Sequence, residues 1–336
     1  MKTVAPFSTP FIIASGLATL LAFAWLVGAG CASSPGIHDT GSAIPHATTD
    51  FLEPFHLQNS TDLTLLFSRR KAAGLDNANP PSASAAPRRV FAVLVNGGSE
   101  GYHQTNILNA AIALKQLGAD AQNLFILCTG IPWLDNLTYN PAASSFLVMA
   151  RPTALNFKLV LNYLGGVITS NDVVLIYLTG HGDKEDEYQT LRDIGKLIPP
   201  PSDPQLTTLA LQGPSLTTGE FKAELESLQH AGQPLIIFLS DECYGGGFAQ
   251  AVRETCRRYI SMSITDDKHL TFCQTFSPFF WKILARRQTG IYPTPTFKAA
   301  FDEAMREHRK TAADDWDAGE FFCSEGLNTF SLSELH

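Results

Sequence analysis

Short apolar runs that alternate with amphipathic stretches constrain the fold of this chain more than any other feature. Continuous apolar runs span residues 90–95, 124–128, 173–178 and 235–239, and 259–264 is predicted as a fifth strand. Helical periodicity marks the stretches 105–117, 153–164 and 218–229. Strands that alternate with helices form parallel sheets covered on both faces. The pattern therefore predicts an α/β fold with a mainly parallel central sheet and helices on both faces, and 207–211 is predicted as an edge strand.

The composition supports a folded domain and argues against a nucleic-acid partner. Of the 336 residues, 45% are hydrophobic and 17% are charged, which provides apolar material for a large core and too little charge for a disordered chain. The 24 lysine and arginine residues are outnumbered by 32 aspartate and glutamate residues, so the formal net charge is −8. No basic block is longer than 68–71, so we expect no nucleic acid among the partners.

The first 31 residues are predicted to be an export segment. Lys2 precedes an uncharged apolar stretch, 11–30, which ends in small residues before Cys31. This ending resembles the bacterial lipoprotein box and implies Cys31 as the lipidation site, although Gly28 stands where that box usually has leucine. The alternatives are an uncleaved single-span anchor, because about 20 apolar residues cross a bilayer, and an ordinary cleaved signal. We expect an exported protein attached to a membrane of the cell envelope, on the periplasmic side or at the outer membrane.

The rest of the chain divides into three predicted parts. Residues 32–89 are rich in proline, alanine and serine, which is typical of a linker, and 62–73 within them favours a short helix that Ser60 or Thr61 would cap. Residues 90–312 contain the alternating strands and helices, so they are predicted to form the folded domain. Residues 313–336 are predicted to be a C-terminal tail.

Two reactive side chains directly follow predicted strands. His181 lies between Gly180 and Gly182 after the third run, and Cys243 follows the fourth run. The carboxyl ends of neighbouring parallel strands meet at one edge of a sheet, where active sites form. A thiol becomes a nucleophile when an imidazole takes its proton, and backbone amides stabilise the resulting oxyanion. The sequence therefore predicts a catalytic dyad of Cys243 and His181, with the amides of Gly182 and Cys243 as the oxyanion hole.

The residues around these two positions resemble the caspase-like cysteine peptidases (clan CD), with the greatest likeness to the legumain and GPI-transamidase family. The motifs are His181-Gly182, 241–243 (Asp-Glu-Cys) about sixty residues later, and His103-Gln104 after a glycine-rich turn, within 90–287. The resemblance implies a caspase-like three-layer sandwich and an endopeptidase that cleaves a peptide or protein substrate through a thioester acyl-enzyme. A transpeptidase or transamidase using the same site is the alternative that it implies.

The resemblance also assigns a substrate pocket, and here the sequence departs from the family. Asp241 occupies the position, two before the nucleophile, that lines the pocket in these enzymes, while Tyr102 replaces the arginine that precedes the His-Gln pair in legumain. We therefore predict Asp241, Tyr102 and His103 as substrate-binding residues, with a preference for lysine or arginine before the cleaved bond. The third catalytic member, which orients the histidine, falls near Glu100 or Asn96.

Other functions and other states of the cysteines also fit parts of the sequence. The acidic stretch 183–187 lacks calcium-ligand spacing, so we predict neither a metal nor a cofactor. One rival enzyme is an α/β-hydrolase with Cys243 as nucleophile and His269 or His308 as base, but Asp241 stands where its nucleophile turn needs glycine. The other rival is a non-catalytic surface lipoprotein that uses the same domain for binding. Disulfides between Cys256 and Cys273 and between 128 and 323 are alternatives to buried thiols.

Overall fold

The apolar runs form the centre of a seven-stranded sheet in the computed structural model, which describes residues 60–74, 89–129, 148–184, 207–271, 275–286, 295–310 and 319–331. All of these residues belong to one unit, Phe55–His336. The strands of the sheet are β1 (Val90–Asn96), β2 (Leu124–Leu127), β3 (Val148–Ala150), β4 (Val173–Thr179), β8 (Leu235–Asp241), β9 (Tyr259–Ser263) and β10 (Glu320–Cys323). Their order is β10-β9-β8-β4-β1-β2-β3, and every neighbouring pair is parallel except β9 and β10.

Both faces of the sheet are covered by helices, so the predicted α/β fold is confirmed as a three-layer sandwich. Successive strand residues point to opposite faces, as Leu94 and Val95 of β1 do. On one face pack α2 (Gly101–Gln116), α6 (Phe276–Leu284) and α7 (Phe297–Arg309). On the other face pack α1 (Ser60–Ala72), α3 (Ala154–Gly165), α4 (Thr218–Ala231) and α5 (Gly246–Thr255). The strands β1, β4 and β8 are therefore apolar up to their last one or two residues, because neither face meets water.

A second, smaller sheet extends from the end of β4. It consists of β5 (Gly182–Lys184), β6 (Thr207–Leu209) and β7 (Leu216–Thr217), paired antiparallel in that order. The predicted edge strand at 207–211 is thus the middle strand of this small sheet, because β5 and β7 supply partners on both sides. Since β5 begins at the residue after His181, the small sheet fixes the backbone that leaves the central sheet there.

The N-terminal boundary of the domain lies before residue 90. The helix predicted at 62–73 is α1, and it contributes Leu63 and Leu66 to the core. Arg70 of this helix is 1% exposed, and its guanidinium donates to the Tyr163 hydroxyl at 2.8 Å and to the Gln122 carbonyl at 2.7 Å. The predicted linker therefore contains a helix that is part of the fold, because its buried arginine and leucines need the domain as their partner.

The C-terminal boundary lies beyond residue 312. Residues within the predicted tail form β10, which pairs antiparallel with β9 from Glu320 opposite Ser263 to Cys323 opposite Ile260. Phe330 is also buried, and its ring stacks on Phe297 of α7. The predicted limit of 312 is corrected, because this later segment completes the edge of the central sheet.

Candidate active site

The pairing of β4 with β8 brings the two predicted catalytic residues to one edge of the sheet. The strands are adjacent and parallel, and Thr179 lies opposite Asp241 at the end of the register. His181 and Cys243 each lie two residues beyond that pair. The site is therefore at the carboxyl ends of the central strands, where α/β proteins form their crevices.

Gly182 and Cys243 are in direct backbone contact. A Cβ atom on Gly182 would lie only 1.8 Å from the carbonyl oxygen of Cys243 and 3.3 Å from its nitrogen. Only glycine leaves room for this approach. The two residues predicted as oxyanion donors are therefore packed against each other, and His181, the preceding residue, is held beside the Cys243 segment.

His181 is oriented by an acidic residue. Its Nε2 lies 2.8 Å from Oε1 of Glu100, and the side chains are 57% and 38% exposed. The hydrogen bond from His181 lowers the pKa of the Glu100 carboxyl. Glu100 precedes the first turn of α2, which places it across from the end of β4. With Nε2 directed to Glu100, Nδ1 of His181 is the nitrogen left for proton transfer.

The Cys243 thiol is half-buried and bonded to a neighbouring backbone segment. Its Sγ donates to the Thr271 carbonyl oxygen at 3.5 Å and accepts from the Thr271 amide at 3.4 Å. Burial raises the pKa of the thiol above its ordinary value, and the carboxylates of Glu242 and Asp183 act in the same direction. In this structure Cys243 is thus a protonated thiol at neutral pH, so it needs a base before it attacks.

The chain turns sharply immediately after Cys243. Tyr244 has φ 57°, in the left-handed region, and its amide donates to the carbonyl of His269 at 3.0 Å. Left-handed backbone at a residue other than glycine is strained, and such strain is concentrated at functional sites. The next three residues are glycines at the start of α5, and a Cβ on any of them would lie within 2.5 Å of a neighbouring residue. The glycine run is therefore explained by close packing.

Asp241 does not line an open pocket, contrary to the sequence prediction. The residue is 0% exposed, and its Oδ2 accepts hydrogen bonds from Ser277, from the Tyr177 hydroxyl at 3.3 Å and from the Asn106 amide at 3.4 Å. Burial raises the pKa of its carboxyl to about 7. The physical reason is strand alternation, because the last residue of β8 shares the face of Leu239, beneath α2 and α6. Because this carboxyl is fully buried, a substrate side chain could contact it only after the residues above it rearranged.

His103, the second predicted substrate-binding residue, is likewise buried. It is 0% exposed, its Nδ1 lies 2.8 Å from Oγ1 of Thr179, and its ring packs edge-on against His181 with the centroids 5.5 Å apart. Burial, together with the neighbouring His181, lowers the pKa of His103 to about 4, so the imidazole is neutral. Tyr102 is half-buried beside it and is the one of the three predicted pocket residues that meets solvent.

The structure brings together a group of residues that the sequence did not connect. One ligand atom from each of Glu100, His103 and His181 lies within 4.8 Å of those of the other two. The sequence placed Glu100 near the site only through the resemblance, and it gave no reason to join His103 to His181. The signal available in the sequence was the short interval between the glycine-rich turn after β1 and the Glu-x-x-His pair at 100–103.

The alternative bases occupy different surroundings. His269 is exposed, and its Nδ1 is paired with Oδ1 of Asp266 at 2.7 Å. His308 is buried in α7, with its Nδ1 at 2.6 Å from Oγ1 of Thr275. His181 follows the end of β4, whereas His269 comes later in the segment after β9, the other neighbour of β8, and His308 lies within α7. The predicted disulfide between residues 128 and 323 is not formed, because both residues are free thiols. Residue 128 follows β2 and Cys323 lies on β10, and these strands are far apart in the sheet order.

Comparisons with known proteins add a likeness of structure. Neither the protein-family models nor the curated proteins contain a match to this sequence. A solved structure, that of protein GSU0716 from Geobacter sulfurreducens, is similar, with a TM-score of 0.46 and 14% sequence identity. The aligned region covers 73% of this chain and 98% of that one.

Residues 1–31, with Cys31, lie outside the described residues, as does Cys273 of the predicted disulfide. Among the helices within the described ranges, none combines the length and the apolar character needed to cross a membrane.

Proposed function

We propose that this chain is a cysteine endopeptidase in which Cys243 and His181 carry out acyl transfer. The observation that carries the proposal is the backbone contact of Gly182 with Cys243, which holds the thiol and the imidazole at the ends of two adjacent strands. Glu100, bonded to His181, provides the orienting third member. The motifs shared with the caspase-like peptidases support the same reaction class.

The reaction begins with removal of the thiol proton. Cys243 leaves its hydrogen bond with Thr271, its proton passes to Nδ1 of His181, and Sγ forms a bond with the carbonyl carbon of the scissile peptide. The carboxylate of Glu100 stabilises the imidazolium that results. The amides of Gly182 and Cys243 donate to the tetrahedral oxyanion.

The tetrahedral intermediate then collapses. The carbon–nitrogen bond breaks, and the departing amine takes the proton from His181, which leaves a thioester on Cys243. Water attacks this thioester after giving a proton to His181, and the thiol is released together with the carboxylic acid. If an amine replaces water, the same step joins two peptides, which is the transpeptidase alternative.

The substrate that we propose is an extended peptide segment of a protein. With Asp241 beneath the surface, the charge-based preference for lysine or arginine loses its basis, and of the three residues predicted to bind substrate only half-buried Tyr102 meets solvent. We therefore favour an apolar or aromatic contact between the substrate residue and Tyr102 over an ion pair.

We also propose, from the apolar segment and Cys31, that the enzyme is exported and membrane-attached. Replacement of Cys31 by alanine is expected to abolish labelling by a radioactive fatty acid.

The test is cleavage of a peptide library varied at the residue before the scissile bond. We expect the full chain to cleave a subset of the peptides, Cys243→Ala to be inactive, and His181→Ala to lose about 100-fold to 10,000-fold in rate. Cys323→Ala and His269→Ala are the matched controls and are expected to retain activity. Cleavage that persists in Cys243→Ala, or that depends on His269 rather than His181, contradicts the proposal.

A further inference from the structure

We propose that Glu100, His103 and His181 form a binding site for a divalent transition-metal ion with the ligand preference of Zn²⁺. The ligand atoms of these three side chains all lie within 4.8 Å of one another. Two imidazole nitrogens and one carboxylate oxygen form the set that holds zinc at many three-ligand sites, where a fourth position is left for water. Magnesium and calcium prefer oxygen ligands only, so the two nitrogens select a transition metal.

One ring nitrogen of the buried His103 lacks a hydrogen-bond partner among the described residues. The side chain is 0% exposed, and its Nε2 has no hydrogen-bond partner among the described residues. Buried polar atoms are nearly always paired, so an orphaned imidazole nitrogen needs an explanation. Its other nitrogen, Nδ1, is held by Oγ1 of Thr179 at 2.8 Å. A hydrogen bond from Nδ1–H to this hydroxyl leaves a lone pair on Nε2, which is the tautomer that a metal requires.

Glu100 and His181 would supply the other two ligands of the metal ion. Oε2 of Glu100 is also buried without a partner in the described part of the chain, while Oε1 is bonded to Nε2 of His181 at 2.8 Å. A metal ion would take the place of the proton in that hydrogen bond. Both side chains are partly exposed, 38% for Glu100 and 57% for His181, so they have room to adjust to metal–ligand distances of about 2.0–2.2 Å.

Gly98 keeps the space beside these ligands open. A Cβ atom at this position would lie 2.3 Å from Cδ2 of His103 and 2.9 Å from Oε2 of Glu100. The turn after β1 therefore passes against two of the three ligands without a side chain. In Gly98→Ala the new methyl group would occupy this space, so we expect it to displace the side chains of His103 and Glu100.

Metal binding would also control the enzyme, an inference that rests on the proposed function. In that mechanism Nδ1 of His181 accepts the thiol proton while Nε2 is paired with the Glu100 carboxylate. A cation on Nε2 would disfavour a second positive charge on the ring and would remove the stabilising carboxylate. Bound Zn²⁺ is therefore expected to inhibit peptide cleavage reversibly, and a chelator is expected to restore it.

The experiment is a metal titration of the full chain after treatment with a chelator. Binding of Zn²⁺ is measured by calorimetry and binding of Co²⁺ by visible absorption. We expect one equivalent to bind, and we expect Glu100→Gln to weaken affinity at least tenfold. Glu100→Gln is the main variant, because Glu100 is partly exposed and its replacement is expected to leave the fold intact. His103→Gln is the second variant, and its melting temperature shows whether it is folded. Cys243→Ala and His269→Ala are controls that are expected to bind as the wild type does.

The outcomes are distinct from those of the peptidase test, because binding is measured without substrate. Unchanged affinity in Glu100→Gln overturns the proposed site, and so does loss of binding in Cys243→Ala, which would assign the metal to the thiol. Metal binding in a chain that cleaves no peptide would support the site and refute the proposed function alone. Cleavage that is insensitive to bound Zn²⁺ would refute the inhibitory role.

Discussion

The buried carboxyl group of Asp241 is expected to make the stability of the domain depend on pH. Its pKa is raised from 3.8 to about 7, chiefly because burial disfavours the charged form, while hydrogen bonds from Ser277 and Tyr177 oppose that shift. In the unfolded chain the group ionises at its ordinary pKa. Replacement by asparagine keeps the shape of the protonated side chain and removes the ionisation, so Asp241→Asn isolates this effect.

The expected magnitude follows from proton linkage. A carboxyl whose pKa is higher in the folded state binds more protons there than in the unfolded chain, so its stabilising contribution is complete below pH 4 and is lost as the pH rises to about 7. Each pKa unit corresponds to about 1.4 kcal/mol. Between pH 5 and pH 8 the wild type is therefore expected to lose about 3 kcal/mol of unfolding free energy relative to Asp241→Asn.

Urea unfolding at pH 5 and pH 8 measures this difference. The matched control is Glu226→Gln, which removes one carboxylate from an exposed position on α4, and its stability is expected to follow that of the wild type at both pH values. The neighbouring Glu242, whose pKa is raised to about 8 by burial and in smaller part by the charge of Asp241, is present in both proteins, so the comparison reports Asp241 together with its coupling to Glu242. If wild type and Asp241→Asn change in parallel between the two pH values, the carboxyl is not held in a buried, protonated state.

Three further predictions concern the site and the N-terminal helix. Gly182→Ala would put a Cβ atom 1.8 Å from the Cys243 carbonyl oxygen, so the two backbones must separate by more than an ångström. Peptide cleavage by this variant should fall about 100-fold. The control is Gly101→Ala, whose Cβ atom would meet nothing within 4 Å and which should cleave peptides as the wild type does. Alkylation of Cys243 by iodoacetamide should be slow at pH 7 and should increase through pH 9 without levelling off, because burial raises the pKa of the thiol. Arg70→Met should lower the unfolding free energy by about 3 kcal/mol, since two buried hydrogen bonds from a charged group are lost, and Arg69→Met on the exposed side of the same helix should have no measurable effect.

Each of these predictions has a clear contrary result. Equal cleavage rates for the alanine variants at 182 and 101 would mean that the backbone contact is not needed for activity. A plateau in the alkylation rate below pH 8 would mean that Cys243 is a thiolate at rest. Equal stabilities for the methionine variants at 70 and 69 would mean that α1 does not pack on the domain through its arginine.

The core of the fold could be predicted from the sequence because its strands are apolar on both faces. β1, β4 and β8 are seven-residue strands in which every residue is buried, and each forms an unbroken apolar run apart from its last one or two residues. β3 and β10 were not predicted, since they have three and four residues, and β10 begins with a glutamate and is only half-buried. Their strand conformation depends on the edge of a sheet that already exists, and no local pattern encodes it.

The candidate site could be predicted only where it follows directly from a strand end. His181 and Cys243 were located because each terminates a recognisable apolar run, whereas the role of Asp241 depended on which face of the sheet its side chain meets. The pairing of Glu100 with His181 joins residues 81 positions apart through the packing of α2. The bond of the Cys243 thiol to Thr271 likewise depends on a loop that no motif marks. Such contacts arise from tertiary packing and leave no periodic signal.

The strand order describes how the central sheet can grow as the chain leaves the ribosome. β1 is synthesised first of its strands and lies inside the sheet, β2 and β3 follow on one side, and β4, β8 and β9 are added in succession on the other. Each strand thus emerges after the neighbour with which it pairs. The antiparallel β10 is translated last of these strands, so the hydrogen-bonding groups on that side of β9 stay open until residues 320–323 have been synthesised. Open strand edges associate with other chains, and a ribosomal product that stops before Glu320 is therefore expected to aggregate rather than fold.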